Sequence, residues 1–269
     1  MSRGAATRLP CTKTVPPRVL SYVMKRAFHV LIASLVFGLC FFPRAWAQTP
    51  VVVELFTSEG CSSCPPADAL LVQLSQKTPP GVDLILLGEH VDYWNHDGWS
   101  DRFSSAQLTQ RQSDYESHLH VAGPYTPQMV IDGHLQFVGN DAATLQHNLE
   151  LAAAQPKTAR VSLQWEAGDH LKIAVQAPEK THAHVFLAVT EDGLTTAISG
   201  GENSGRTLQH AAVVRELQEL GSVKNGSFAK TVEASRHSGW NATNLKVAVL
   251  VQDSDGGPIL GAATLHYQP

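Results

Sequence analysis

Cysteine is scarce in this chain, which has four among its 269 residues. Cys11 and Cys40 lie in an N-terminal region that is predicted to be removed, so Cys61 and Cys64 are the only thiols expected in the mature protein. An exported protein with a single close pair is not held together by a disulfide framework. The short loop between the two cysteines would restrict the unfolded chain little, which argues against a purely stabilising disulfide.

Beyond the N-terminal region, the sequence has no cluster of positive charge and no long apolar segment. The formal net charge is -4 and no basic run follows the N-terminal region, so the charge pattern gives no electrostatic support to nucleic-acid binding. Beyond that region, no hydrophobic segment is long enough to cross a membrane as a helix. The sequence also lacks the local contexts expected around a hydrolase nucleophile. We therefore predict no nucleic-acid partner and no membrane span after signal cleavage.

The N-terminal region has the pattern of a secretory signal. A short basic start at Met24 precedes the apolar run Ala27–Phe42, and Ala45-Trp46-Ala47 offers small residues for cleavage. We predict cleavage after Ala47, with residues 1–23 either upstream of a true start at Met24 or part of an extended signal. An uncleaved N-terminal anchor is the alternative. The predicted localisation is export, to the periplasm or the medium.

Residues 48–155 alternate between strand and helix patterns. The predicted order is β-α-β-α-β-β-α, with strands at 51–56, 82–91, 128–131 and 135–138 and helices at 65–76, 103–118 and 142–154. Strands that alternate with helices before a closing hairpin are typical of an α/β domain. Arg111 and Asp68 are expected to pair within this region, without a chemical role.

The composition changes after Pro156-Lys157, which we interpret as a linker. Residues 156–269 contain strand patterns at 160–165, 171–176, 184–190, 228–233, 245–252 and 261–267. Thr207–Leu220 is ambiguous between strand and helix. The pattern predicts a second, β-rich domain with a sandwich-like architecture.

Cys61-Ser62-Ser63-Cys64 lies where the first strand turns into the first helix. Two thiols at this spacing and in this context favour thiol–disulfide exchange with a protein or small-molecule client. Unpaired N–H groups and the helix dipole favour a thiolate at Cys61. We therefore predict that Cys61 attacks and that Cys64 resolves the mixed disulfide. The chemistry requires an unidentified redox partner but no cofactor beyond the redox-active disulfide.

Three further features are predicted to belong to the site. Thr126-Pro127 lies just before a strand, an unusual place for proline; an ordinary trans proline that ends a loop is the alternative. Tyr93 and Trp94 follow the second strand and would wall the client groove, because ligands bind beyond the carboxyl ends of parallel strands; a packed aromatic loop is the alternative. Glu54 interrupts an apolar strand and would shuttle protons if it is buried; alternatively, it reaches solvent.

Two other functions stay open. A zinc site is disfavoured, because it needs four ligands and a second Cys-x-x-Cys is missing. A Cu(I) carrier or metallochaperone is the first alternative, with the soft thiolates of Cys61 and Cys64 and either His90 or His96 as ligands, although the cysteine spacing argues against it. A non-catalytic binding module that retains the fold is the second alternative.

The chain resembles known families along most of its predicted mature length. Residues 50–155 resemble the thioredoxin-like superfamily, and the chain is similar to an uncharacterised family of exported bacterial proteins, domain of unknown function twelve twenty-three. The stretches that carry the likeness are 54–68, 90–94, 98–99, 111–112, 125–129 and 205–208. The resemblance implies an exported location, a cis Pro127 packed against the cysteines and a Thr126 whose backbone pairs with an extended client, but no established substrate. The chain departs from thioredoxin at Gly60, where tryptophan is usual, and at Ser62-Ser63, which replaces Gly-Pro.

Overall fold

The computed structural model describes residues 49–96, 98–234 and 236–268. The predicted signal, its cleavage after Ala47 and the alternative start at Met24 lie outside the described residues and stay predictions. Within the described ranges, no helix is long and apolar enough to cross a membrane. From residue 49 onward the described residues form one compact unit.

The first region has the predicted succession of strands and helices. Its elements are β1 (Pro50–Thr57), α1 (Pro65–Gln76), β2 (Asp83–His90), α2 (Ala106–His118), β3 (Gln128–Ile131), β4 (Leu135–Val138) and α3 (Ala142–Ala153). The largest difference is at α2, which starts at Ala106 rather than at residue 103. The reason is local, because the Ser105 side chain accepts a hydrogen bond from the Leu108 N–H and so caps the helix.

The second region consists almost entirely of strands. They are β5 (Arg160–Trp165), β6 (His170–Gln176), β7 (Ala183–Glu191), β8 (Leu194–Ala197), β9 (Thr207–His210), β10 (Val213–Ser222), β11 (Ser227–Glu233), β12 (Leu245–Asp253) and β13 (Ile259–His266), with one short 3-10 helix at Ala242–Asn244. The ambiguous segment Thr207–Leu220 forms two strands, β9 and part of β10. The sequence analysis missed β8, because a strand of four residues is too short to give a clear periodicity.

One eight-stranded sheet runs through both predicted regions. Its order is β13-β12-β7-β10-β2-β1-β3-β4, with β1 parallel to β2 and antiparallel to β3. A second sheet, in the order β11-β6-β5, and the small pair β8-β9 complete the strands of the described residues. The protein therefore has a mixed α/β fold with a large central sheet. Strands from both sides of the predicted domain boundary at residue 155 belong to that sheet. The division into domains 48–155 and 156–269 stays a prediction.

The two faces of β1 meet different parts of the core. Val51, Val53 and Leu55 pack with α1 and α3 in one apolar cluster. Val52 and Phe56 belong to clusters on the opposite face, which include side chains of α2. Because strand side chains alternate between faces, Glu54 shares the α2 face with Val52 and Phe56. A further apolar cluster joins the β11-β6-β5 sheet to β7 and β12.

The two regions meet in the central sheet at Gly88. Strand β10 pairs in parallel with β2 at Val213 and Gly88, and the Gly88 N–H donates to the Ala212 carbonyl at 2.7 Å. A Cβ atom at position 88 would lie only 2.9 Å from the Ala211 carbonyl oxygen. Glycine is therefore required for the close approach of these strands.

We expect Gly88→Ala to lower the free energy of unfolding by about 1–3 kcal/mol, because the added methyl group would push β10 away from β2. Urea unfolding of the two proteins measures the difference. Gly123→Ala is the matched control, since a Cβ atom there meets nothing within 4 Å. Equal stabilities of Gly88→Ala and wild type would contradict a tightly packed junction.

Candidate redox site

Cys61 and Cys64 form a disulfide just beyond the end of β1, with their Cα atoms 5.4 Å apart. Cys64 is the N-cap residue of α1, and Pro65 opens the helix. The Cys64 carbonyl accepts hydrogen bonds from the N–H groups of Ala67 and Asp68 at 2.9 and 3.1 Å. The pair thus occupies the strand-to-helix turn that the sequence predicted.

Both cysteines are fully buried, although Ser62 and Ser63 between them are exposed. Trp94 packs against the residue before the motif, since a Cβ atom at Gly60 would lie 3.1 Å from Trp94 Cβ. Disulfide exchange requires access to a sulfur atom. A thiol reagent could therefore reach either sulfur only after local movement of the residues that cover the cysteines.

A segment of the second region forms hydrogen bonds with the backbone of the cysteine motif. Asn203, itself fully buried, donates from Nδ2 to the carbonyl oxygens of Glu59 and Cys61, both at 2.9 Å. Arg206 Nη1 donates to Asn203 Oδ1 at 3.0 Å and so orients the amide. Glu202 Oε2 accepts a hydrogen bond from the Ser62 N–H at 3.0 Å, and its bonds with Ser62 lower the pKa of the Glu202 carboxyl.

The sequence analysis assigned no role to Asn203 or Glu202. More than 130 residues separate them from the motif, so no local pattern connects the two segments. One signal did point to this part of the chain, because Arg206 belongs to the stretch 205–208 that carries the family resemblance.

The predicted client-binding residues lie beside the motif. The peptide bond between Thr126 and Pro127 is cis, as the resemblance implied. Ser63 Oγ lies 3.5 Å from the Thr126 carbonyl oxygen and 3.3 Å from Cys61 Sγ. Trp94 Nε1 donates to Thr126 Oγ1 at 2.8 Å. The structure therefore brings Cys61, Ser63, Trp94 and Thr126 together, and it adds the Ser63 hydroxyl, to which the sequence analysis gave no role.

Tyr93 has a supporting position next to Trp94. Its hydroxyl donates to Gln112 Oε1 at 3.1 Å, and Gln112 Nε2 donates to the Tyr125 carbonyl at 2.8 Å. Burial raises the pKa of Tyr93 to about 12, so the phenol stays protonated at neutral pH. Tyr93 therefore links α2 to the segment that precedes Thr126.

Glu54 is fully buried, so the alternative in which it reaches solvent is wrong. Arg111 Nε and the Tyr115 hydroxyl donate to its two carboxylate oxygens, each at 2.6 Å. Arg111 also contacts Glu89 at 3.2 Å, and burial together with the charge of Glu54 raises the pKa of Glu89. The expected pairing of Arg111 with Asp68 is wrong, because α2 presents Arg111 to the strand face that carries Glu54.

Five buried ionisable side chains form a polar cluster next to the cysteine motif: Glu59, Asp68, His90, Asp101 and His210. His90 Nδ1 lies 2.6 Å from Asp101 Oδ2, and the rings of His90 and His210 are 4.9 Å apart. His210 Nε2 lies 3.3 Å from Glu59 Oε1, without hydrogen-bond geometry. Trp99 Nε1 donates to Glu59 Oε2 at 2.9 Å.

His90 is also the residue named for the Cu(I) alternative. Its ring contacts in the structure are with Asp101, Phe103 and His210. No group of three or more His, Cys, Asp or Glu side chains in the described ranges is arranged to hold a metal ion. The Cu(I) alternative, with Cys61 and Cys64 as further ligands, therefore stays a hypothesis from the sequence.

The charges of His90 and Asp101 stabilise each other. Burial alone would lower the pKa of His90, because it disfavours the charged imidazole. The nearby carboxylate of Asp101 outweighs this effect, so the pKa of His90 is raised. Burial likewise disfavours the charged carboxyl, but His90 and two backbone N–H groups lower the pKa of Asp101. In the folded protein each of the two charged forms therefore favours the other.

These features define the class of protein: a mixed α/β protein with a Cys-x-x-Cys disulfide at a strand-to-helix turn of its central sheet. The family model described as "Protein of unknown function (DUF1223)" matches residues 52–252, and the chain belongs to this family. The family predicted from the sequence motifs is thereby confirmed.

Two solved structures are similar to the chain. A protein from Agrobacterium tumefaciens, determined by X-ray crystallography for a structural genomics consortium, is 31% identical, with a TM-score of 0.69 over 83% of this chain and 97% of that chain. A domain of the outer membrane lipoprotein Omp28 from Porphyromonas gingivalis has 15% identity and a TM-score of 0.25 over 42% of this chain and 97% of that chain, too slight a likeness to support an argument. No curated protein matches the chain.

We expect the His90–Asp101 pair to make folding stability depend on pH. The contribution of His90 is fully present below about pH 6.5 and is lost as the pH rises through the raised pKa of its folded state. That of Asp101 is present above about pH 4 and is lost as the pH falls through its lowered pKa. Wild type should therefore be more stable than His90→Gln near neutral pH, and this difference in the free energy of unfolding should decrease as the pH rises. Urea unfolding across pH tests this, with exposed His170→Gln as control; a difference independent of pH would contradict the charged pair.

We also expect Asn203→Ala to speed reduction of the Cys61–Cys64 disulfide by dithiothreitol. Two buried carbonyls lose their donor, which lowers the cost of local opening and should raise the rate roughly tenfold. Thiol trapping and mass spectrometry at timed intervals give the rate. Ser204→Ala, at an exposed position in the same segment, is the control. If Asn203→Ala is reduced as slowly as wild type, the segment does not limit access to the cysteines.

Proposed function

We propose that this protein is an exported thiol–disulfide oxidoreductase that acts on protein or small-molecule thiols through Cys61 and Cys64. One observation carries the proposal: a disulfide at the N-terminus of α1 has the Ser63 hydroxyl 3.3 Å from Cys61 Sγ. After reduction, this hydroxyl and the helix N-terminus both favour a thiolate at Cys61. A thiolate is the nucleophile in disulfide exchange.

A thioredoxin-like arrangement of residues 50–155 is part of the proposal. Strands β1 and β2 are parallel and are connected through α1, and the cysteines lie at the turn between β1 and α1. This βαβ context favours redox use of a Cys-x-x-Cys motif. For the second region we propose sandwich-like packing, supported by the apolar cluster between the β11-β6-β5 sheet and strands β7 and β12.

The proposed reaction has two steps. The Cys61 thiolate attacks a client disulfide, one client sulfur leaves as a thiolate, and a mixed disulfide forms. The Cys64 sulfur then attacks Cys61 Sγ, which closes the Cys61–Cys64 bond and releases the second client thiolate. Two electrons pass from the protein dithiol to the client, and the reverse sequence oxidises a client dithiol.

The client site is proposed to lie along Thr126. Trp94 fixes the Thr126 side chain through the 2.8 Å hydrogen bond, and Pro127 follows directly before β3. An extended client segment that reaches Cys61 would lie beside the backbone of Thr126 and pair with it as an added strand does. Trp94 and Tyr93 would form the aromatic wall of this groove.

Export is proposed from the signal-like pattern that ends at Ala47. An oxidising compartment would maintain the disulfide between bouts of exchange. The client and the redox partner would then be proteins or small thiols of the same compartment.

Redox titration of the predicted mature chain, residues 48–269, tests the proposal. In glutathione buffers, thiol trapping should reveal a reversible two-electron transition between about −270 and −120 mV. A pair that stays oxidised, or that does not react, throughout this range would overturn the oxidoreductase proposal and make Cu(I) binding the next measurement.

Single-cysteine variants distinguish the two roles. With glutathione disulfide, Cys64→Ser should accumulate a mixed disulfide at Cys61, because the resolving thiol is gone. Cys61→Ser, its matched control, should accumulate much less, because the Ser63 hydroxyl that favours a thiolate lies beside Cys61 Sγ. Equal trapping by both variants would contradict the assignment of Cys61 as nucleophile.

A further inference from the structure

Asp68 belongs to the polar cluster and lies on the same helix as the resolving cysteine. It follows Cys64 by four residues, so the two side chains share a face of α1, and both are buried. The Asp68 N–H donates to the Cys64 carbonyl at 3.1 Å. No other carboxylate of the cluster is on this helix.

One oxygen of the Asp68 carboxyl is held and the other is not. Thr57 Oγ1 donates to Asp68 Oδ1 at 2.9 Å. Among the described residues, buried Oδ2 has no hydrogen-bond partner. An ionised carboxylate in such a position is costly, and burial raises the pKa of Asp68.

Asp68 also borders a cleft at the protein surface. It lines an open cleft of about 410 Å³ between α1 and β9, together with Ala69, Gln73, Thr207 and Gln209. Neither Thr126 nor Trp94 lines this cleft. A proton that leaves Asp68 toward this cleft would not pass through the proposed client site.

We propose that Asp68 carries the proton between the Cys64 thiol and solvent through the cleft between α1 and β9. This inference rests on the proposed exchange reaction and adds a proton-transfer residue to it. Glu54, the carboxylate predicted for this role from the sequence, has both oxygens paired with Arg111 and Tyr115 on the α2 face of β1. Asp68 is the carboxyl that follows Cys64 by one turn of the same helix.

The proton moves in the second half of the reaction. While Cys61 holds the client as a mixed disulfide, the Asp68 carboxylate takes the proton from the Cys64 thiol. The resulting thiolate attacks Cys61 Sγ, the bond from Cys61 to the client breaks, and the client leaves as a thiolate with the electron pair of that bond. Asp68 then releases its proton to solvent in the cleft, and in the reverse direction it returns a proton to Cys64.

Other charged groups face Asp68 and shape its titration. His210 on β9 and His90 on β2 favour the carboxylate, whereas Asp101 opposes it. Glu59 is part of the same cluster through His210. A pH profile of Asp68 therefore reports on the whole cluster, and only substitution of Asp68 itself isolates its part.

Single-turnover reaction of the reduced protein with Ellman's reagent separates the two steps. The first release of thionitrobenzoate reports attack by Cys61, and the second reports attack by Cys64 on the mixed disulfide. Asp68→Asn should leave the first phase unchanged and slow the second about 100-fold at neutral pH, with loss of its pH dependence, because a general base has been removed. Asp83→Asn, at an exposed position, is the control.

The outcomes separate this inference from the proposed function. If wild type shows neither phase, exchange chemistry itself is refuted. If both phases occur and Asp68→Asn keeps the wild-type second phase, Asp68 is not the proton carrier and exchange stands. Gln209→Trp, which narrows the cleft at an exposed position, should also slow the second phase; an unchanged rate would remove the cleft from the route.

A measurement on wild-type protein covers the case in which Asp68→Asn does not fold. The infrared difference spectrum between the reduced and oxidised protein should contain a carboxyl band, because Cys64 changes from thiol to disulfide next to Asp68. Thr57→Val should shift this band, since it removes the hydrogen bond to Oδ1. A wild-type spectrum without a carboxyl band would overturn the inference.

Discussion

The close approach of β2 and β10 at Gly88 is the constraint on which the rest of the structure depends. Through the 2.7 Å hydrogen bond to Ala212, it joins the strands of the second region to the parallel pair β1 and β2. His210, the last residue of β9, lies two residues before Ala212, and Asn203 lies in the loop that connects β8 to β9. Side chains far along the chain are thereby placed on the backbone of the cysteine motif.

The site combines features that promote exchange with features that restrain it. The helix N-terminus and the Ser63 hydroxyl favour a thiolate at Cys61, while the Glu202 carboxylate beside the Ser62 N–H brings negative charge to the same turn. Full burial of both cysteines restricts access further. Reactivity would then depend on how readily the segment around Asn203 moves, and that segment belongs to the second region of the chain.

Local features of the fold were predictable, and contacts distant in sequence were not. The bounds of α1, β3, β4 and β5 match the sequence prediction because proline at a helix start, turn residues and side-chain alternation are local signals. The pairing of β10 with β2 has no local signature, so the shared sheet was not foreseen.

The same distinction holds for the candidate site. Cys61, Trp94 and Thr126 could be named from motifs in the sequence. The contacts of Asn203 and Glu202, and the proposed roles of Ser63 and Asp68, emerged only from the folded chain. The burial of Glu54 was left open because it depends on a partner, Arg111, supplied by another element.

The pH dependence of alkylation at each cysteine in the reduced protein tests the central claim most directly. With iodoacetamide and mass spectrometry of each site, the account predicts that Cys61 is alkylated with an apparent pKa below about 8.5, the value of a free cysteine. Cys64 should be alkylated far more slowly, because the Ser63 hydroxyl that favours a thiolate lies beside Cys61 Sγ. Alkylation of both cysteines alike with the pKa of a free thiol, or of neither without denaturant, would contradict the account.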